Sequence, residues 1–291
     1  MTQSVSDSFE QLAAEIRPEL FRYCARLTGS VFEAEDIVQD TLERALTALP
    51  HHPPAGPLKP WLFRIAHNRA LDHLRADRHR RSESLDGMSD RPDQSPPPDE
   101  VAIRREAISL AISRFAELPI AQRSVVILKD VLDHSLQDIA ELLDFSLAAV
   151  KAALHRGRVR LRELAVAAPP VPRPPSPEIA RYVAMFNGRD WQGLRALLAE
   201  DVKLNQSAKY VRQGRAEVGQ FFSIYQSKED WHVQPAWLEG REIVVVTAGP
   251  DEPKPAYFME VVWRGGEIAL IHDRRYQPYE IEGAEIILAG G

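Results

Sequence analysis

Apolar and polar residues recur with helical spacing across Leu136–Arg162, LQDIAELLDFSLAAVKAALHRGRVRLR. Ile139, Leu143, Phe145, Val150 and Ala153, with the small Ala140, fall where two helices crossing at a steep angle bury side chains. Ser135 and Ser146 each precede one of these helices, where a hydroxyl accepts an orphan backbone N–H, so both starts are signalled separately. The pattern predicts a helix-turn-helix. Its turn residue is Asp144, where glycine would most easily take a left-handed conformation, although Asp tolerates that region better than most residues.

The same periodicity organises the rest of the chain. Ala34–Leu49 sets Ile37, Thr41, Leu42, Ala45 and Leu49 on one face and leaves Glu35, Asp36, Gln39, Asp40 and Glu43 as an acidic outer surface. Leu58–Arg81 opens with Pro60 near a helix start and buries Trp61, Leu62, Ile65, Ala66, Ala70 and Leu74 in turn. Towards the C-terminus, Ile179–Phe186, Asp190–Leu198 and Ala216–Tyr225 read as short amphipathic helices. Strands follow at Val233–Leu238, Glu242–Thr247, Ala256–Trp263, Glu267–His272 and Ala284–Leu288, broken by Gly240, by Gly249 with Pro250, and by Gly265–Gly266.

Proline divides these elements into a multidomain chain. The stretch 82–100 mixes Pro92, Pro96, Pro97 and Pro98 with Asp and Ser and has no hydrophobic period, which predicts a flexible acidic linker. PPVPRPPSP at 169–177 holds six prolines in nine positions and predicts a stiff spacer. Three folded units are expected: all-α domains at 8–81 and 101–168, then an α+β domain at 178–291.

The net charge of −6 at pH 7 argues against nucleic-acid binding until it is divided along the chain. Residues 61–81 carry six arginines against Asp72 and Asp77, and residues 151–163 carry Lys151 and four arginines against Glu163. The basic charge sits in two patches. Ser146, Leu147, Ala148, Lys151, Ala152 and His155 would face a DNA groove, with Arg156 and Arg158 among the arginines of a phosphate-binding tail. On the earlier helix an aromatic at the head and alternating Arg, His and Asn suit phosphate and unstacked bases. A solvated charged face and a core tryptophan would explain the same residues of that earlier helix.

Other chemistry is sparse. One cysteine, Cys24, excludes an internal disulfide and any multi-cysteine metal site and fits a reducing, cytoplasmic setting. Neither a run of about twenty apolar residues nor an export signal is seen, so no membrane association is expected. No metal-ligand spacing occurs, and no cofactor is called for.

AEDIVQDTLERAL, then PWLFRIAHNRALDHLR, then LPIAQRSVVILKDVLDHSLQDIAELLDFSLAAVKAALHRGRVRLREL closely resemble the extracytoplasmic-function (ECF) sigma factors of bacterial RNA polymerase. The first two segments look like region two (8–81) and the third like region four (101–168) of that family. The resemblance implies that core RNA polymerase and promoter DNA are the partners. Asp36, Gln39, Asp40 and Glu43 would dock on the polymerase clamp helices. Trp61, Arg64, Asn68, Arg69, Asp72, His73, Arg75 and Arg78 would recognise and melt the minus-ten element, and region four would read the minus-thirty-five element. Ala152 and Ala153 stand where many relatives carry serine and arginine, which implies a weaker or different base preference. Melting needs a pocket for a flipped base and no covalent step by this chain, so no enzyme activity is expected.

FNGRDWQGLRALLAEDVKL and RQGRAEVGQFF are similar to the opening of the SnoaL-like cone of the nuclear-transport-factor superfamily. Tyr182, Phe186, Trp191, Phe222, Trp237, Phe258 and His272 are the candidates for its pocket, and Asp201, His232, His272 and Asp273 for acid–base work. The domain reads as a fused regulator packing on the sigma domains of a chain that is monomeric when free, with sensing of a small-molecule ligand as a second role. A stand-alone DNA-binding transcriptional regulator, or a C-terminal domain with cyclase- or isomerase-like activity, are the alternatives.

Overall fold

The computed structural model describes residues 2–54, 56–80, 111–164, 172–206, 210–227 and 230–290. The chain forms two compact units, Met1–Ala167 and Ala168–Gly291. The two all-α domains expected from the sequence therefore share one unit, and the linker assigned to 82–100 lies outside the described residues.

The first unit begins with three helices, α1 (Thr2–Thr28), α2 (Val31–Ala48) and α3 (Leu58–Arg80). Gly29 ends α1 at φ +83°, and the Ser30 side chain then accepts the Glu33 N–H and starts α2 three residues before the predicted helix. Leu20, Phe21, Tyr23 and Cys24 of α1 pack with Ala34 and Val38 of α2 and with Leu62, Phe63, Ala66 and Ala70 of α3, all fully buried. Trp61, Ile65 and Leu74, expected in this core, are only half-buried. Glu35, expected on the acidic surface, is buried and bonded to Arg17. The cluster is closed around the first helix rather than around the second.

A 3₁₀ turn (Ile112–Glu117) leads into α4 (Ile120–Val126), which runs on as a π turn to Val131, then α5 (Leu136–Leu143) and α6 (Leu147–Leu164). Gly157 lets α6 approach α4: a Cβ there would lie 2.5 Å from Val126 Cγ2. Arg123 of α4 is buried and donates through Nη1 to the Leu27 carbonyl of α1 at 2.6 Å, and through Nε and Nη2 to the Leu118 carbonyl at 3.1 and 2.8 Å. This guanidinium ties the two halves of the unit together.

The second unit is α+β, as expected. α7 (Pro177–Asn187) and α8 (Trp191–Ala196) precede β1 (Leu198–Gln206) and β2 (Tyr210–Gln213). The single helix expected at 216–225 splits at Gln220 into α9 (Arg215–Gly219) and α10 (Phe221–Gln226). Then come β3 (His232–Leu238), β4 (Arg241–Thr247), β5 (Tyr257–Arg264), β6 (Glu267–Asp273), a 3₁₀ turn (Pro278–Ile281) and β7 (Ile286–Leu288). The seven strands form one sheet in the order β2-β1-β6-β5-β4-β3-β7, antiparallel except for the β1–β6 pair. Gly265 and Gly266, at φ +61° and +83°, make the two-residue turn between β5 and β6.

One sheet face, through Val233, Val244, Val246, Tyr257, Met259, Val261 and Ile271, packs on Tyr182, Phe186, Trp191, Phe221, Phe222 and Tyr225 from the helices. The opposite face buries Val245 beside Phe258, over which the Arg274 guanidinium lies at 5.9 Å while bonding Glu260 and Glu280. Period-two alternation thus divides the strands between two buried surfaces.

Candidate nucleic-acid interface

Helix α6, expected to face a DNA groove, is positioned by three local devices. Ser135 caps α5 in a reciprocal box with Asp138, each accepting the other's backbone N–H. Asp144 takes the left-handed conformation, φ 56° and ψ 46°, as its place in the turn predicts, and lets the chain reverse. Ser146 Oγ then accepts the Ala149 N–H at 3.1 Å. Phe145, expected in the core, is instead 37% exposed, because the left-handed residue before it turns the chain outward.

Ser146, Leu147, Ala148 and Lys151 lie exposed along the outer face of α6, with Ala152, His155 and Arg156 half-buried behind them. Val150, Ala153 and Leu154 form the buried face. Arg158 departs from its expected role: Nε and Nη2 bond both oxygens of buried Asp130 at 3.0 and 2.6 Å. Its guanidinium is structural, turned inward where a phosphate contact would need it outward.

On α3, Arg64, Asn68, Asp72 and Arg75 form one exposed stripe at helical spacing. Trp61 is half-buried, as are Arg69, which bonds Asp40 of α2, and His73, whose Nε2 is 2.8 Å from Glu33. Asp72 sits between Arg69 and Arg75 at 3.4 Å from each. The Arg78 side chain lies outside the described residues. His67, not singled out in the sequence, contacts Tyr23 Oη through Nδ1 at 2.7 Å, and burial lowers its pKa to about 4. A neutral imidazole follows at ordinary pH.

Along α2, Asp36 and Glu43 are exposed and Gln39 and Asp40 half-buried. Gln39 bonds Arg17 and Glu43. Partial burial works against the charge of Asp40, but bonds from Arg44 and Arg69 hold its carboxyl below the usual carboxylate range. The four acidic and amide side chains expected at a partner surface do occupy one side of one helix.

Against known families, residues 12–80 match Sigma-70 region 2 and residues 110–161 match Sigma-70, region 4. The chain is 34% identical over 163 residues to the ECF RNA polymerase sigma factor ShbA of Streptomyces griseus, covering 53% of this chain and 85% of ShbA. The chain belongs to the ECF RNA polymerase sigma factors. To the ECF sigma factor SigG of Mycobacterium tuberculosis it is 33% identical over 201 residues, 60% of this chain, and spans about half (54%) of SigG. The crystal structure of the extracytoplasmic-function sigma factor SigJ of the same organism aligns with 93% of this sigma factor and 97% of SigJ, at 19% identity and a TM-score of 0.34.

Neither family match extends into the second unit of this sigma factor. There Tyr182, Phe186, Trp191 and Phe222 converge in the core beneath the helices. Phe258 and His272 do not join them: they lie on the opposite sheet face, His272 registering with Asn205 and Glu260. His272 and Asp273, adjacent in sequence, point to opposite faces because strand side chains alternate. Trp237 registers with Glu242 near the β3–β4 turn, and Arg173 stacks on its ring at 5.7 Å. Asp201 is exposed and paired with Arg264, and His232 lies 3.3 Å from Asn187.

Of the four acid–base candidates, Asp273 is the one that is fully buried. It accepts from Gln206 Nε2 at 2.9 Å and from the Arg275 N–H at 3.1 Å, and burial raises its pKa above the usual carboxylate value. Nearby, the hydroxyls of Tyr225 and Tyr257 share a 2.6 Å hydrogen bond, and the Tyr182 hydroxyl is buried without a hydrogen-bond partner. Arg275 stacks over the rings of Tyr225, Trp231 and Tyr257 at 4.7, 5.7 and 5.7 Å. The sequence did not single out Arg275 or Gln206, which carry no periodic signal. Among the described residues, no cluster of His, Cys, Asp or Glu is placed to hold a metal ion, and no helix is long and apolar enough to cross a membrane.

Proposed function

We propose that this chain binds core RNA polymerase through α2 and reads a promoter with α3 and α6. The observation that carries the reading is a pair of exposed stripes, Arg64–Asn68–Asp72–Arg75 on α3 and Ser146–Leu147–Ala148–Lys151 on α6, in a chain matching both Sigma-70 regions. Phosphate contacts position such helices, and base-edge contacts add ~1–3 kcal/mol of discrimination each. Asp36 and Glu43 are the exposed carboxylates of the docking face, and Asp36→Arg should abolish pull-down of core polymerase while leaving the circular-dichroism melt unchanged. Survival of the pull-down would sink the docking assignment. Tight operator binding by the free chain would instead favour a stand-alone regulator.

The second unit acts, in this reading, as a tethered regulator. What supports it is a separate core and sheet behind a proline-rich spacer, which raises the local concentration of weak contacts to about the millimolar range. Truncation after Ala168 should alter promoter-dependent transcription, and unchanged transcription would refute regulation. Ligand sensing is favoured by one observation, the partnerless buried hydroxyl of Tyr182 in a core that also buries Asp273. Native mass spectrometry of the purified chain tests it, a bound small molecule being the expected result.

A further inference from the structure

At one end of the sheet in the second unit the chain brings together Tyr225 from α10, Trp231 just before β3, Tyr257 at the start of β5 and Arg275 just past β6. The Arg275 guanidinium lies 4.7 Å from the Tyr225 ring centroid and 5.7 Å from those of Trp231 and Tyr257, and the Trp231 and Tyr257 rings stand edge-on at 5.8 Å. Buried Asp273 accepts the Arg275 backbone N–H. Burial, and after it the Asp273 charge, raises the pKa of Tyr182, Tyr225 and Tyr257, so their hydroxyls stay neutral. Neutral aromatic faces beside a carboxyl make a cage for a cation. Two features set this cage apart from an ordinary core contact. Its cation is carried on a turn and is half-buried, as is Trp231, so the guanidinium can swing out without moving a strand. The Tyr182 hydroxyl, acted on by the same carboxyl, is buried with no hydrogen-bond partner, which costs stability unless a further molecule uses it.

We propose that Tyr225, Trp231 and Tyr257, with Asp273, form a binding site for a small organic cation of the alkylated ammonium class, which displaces the Arg275 guanidinium from between the rings. Arg275 is then a tethered stand-in that fills the cage while the site is empty. Because it is attached, it competes at an effective concentration of about the millimolar range, and the apparent affinity of a free cation falls by the fraction of time that Arg275 is out. An anion is disfavoured here, since it would meet the negative ring faces and the Asp273 carboxyl. The proposal rests on the ligand-sensing reading above and names the class of molecule sensed.

Calorimetric titration of the full chain with choline, and with its uncharged isostere 3,3-dimethyl-1-butanol, separates charge from shape. Choline should bind about tenfold more tightly than the isostere. Arg275→Gln, which empties the cage, should tighten choline about tenfold at unchanged helicity, and Trp231→Ala should weaken it by a similar factor. Equal binding of choline and the isostere overturns the cation class and leaves ligand sensing standing, as does a neutral or anionic molecule found bound by native mass spectrometry. No choline binding by the parent and by a folded Arg275→Gln chain overturns the cage itself. If Arg275→Gln does not fold, Trp231→Ala decides, and a choline affinity unchanged by it overturns the cage. Choline binding as expected, with no effect on promoter-dependent transcription, upholds the site and refutes the sensing role alone.

Discussion

Arg158 grips Asp130 through two hydrogen bonds inside region 4, with the Asp130 side chain 2% exposed and that of Arg158 13% exposed. Removing one member of a buried pair leaves the other charge uncompensated, which costs about 3–5 kcal/mol. Asp130→Ala and Arg158→Ala should both lower the melting temperature sharply. Lys151→Ala, on the exposed face, should leave the melt unchanged and weaken DNA binding, with a shallower salt dependence. Equal melting of all three variants would contradict the buried-pair assignment.

Gly157 makes an opposite prediction from the one helix propensity gives. Alanine in an ordinary helix interior is about 1 kcal/mol better than glycine, yet here its Cβ would meet Val126 Cγ2 at 2.5 Å and the Gln122 carbonyl at 3.3 Å. Overpacking of this kind costs about 1–3 kcal/mol, so Gly157→Ala should destabilise, and Val126→Ala in the same chain should recover part of the loss. Chemical denaturation measures both.

Asp144 holds φ 56° at the turn before α6. Glycine populates that region freely, and a β-branched residue is penalised by about 1–2 kcal/mol. Melting temperatures should rank Asp144→Gly at or above the parent chain, and Asp144→Val below it. The reverse order would mean that the Asp side chain stabilises the turn by more than its backbone strain costs.

His67 links the first unit to pH. With its folded pKa depressed to about 4 from an ordinary 6.5, the imidazole binds its proton less well in the folded chain than in the unfolded one. Unfolding therefore takes up a proton between those values. The stability that His67 contributes is complete above about pH 6.5 and is lost as the pH falls towards 4. His134, also lowered by burial, adds to the same slope. Melts across this range should show it, and His67→Gln should flatten it; an unchanged slope would remove His67 from the account.

The sequence foretold what local chemistry decides. Ser135 and Ser146 cap α5 and α6 as expected, Asp144 is left-handed, and four of the five predicted strands fall within one residue of their observed limits at each end. Longer-range partners were not legible. Arg158 looks like its neighbours in a basic tail until Asp130, 28 residues away, appears beside it. Glu35 has the spacing of a surface acid, and only Arg17 of α1 explains its burial. β1 carries no strand signal beyond the helix expected to end at Leu198, because Glu200 and Asp201 interrupt its alternation where the register with β6 shifts. Residue type groups Phe258 and His272 with the other pocket candidates, whereas strand parity sends them to the other face.

The β1–β6 pairing also sets an order of assembly. Leu204 meets Ile271 across the sheet, so strands 67 residues apart must come together before β1 has its inner neighbour. Helix packing in α1–α3 closes over shorter separations, and local contacts form faster than distant ones. A ribosome making this chain releases region 2 and region 4 well before β6 emerges. The nascent sigma factor should therefore pass through a period in which its first unit is folded while β1 and β2 still lack the strand that joins them to the rest of the sheet.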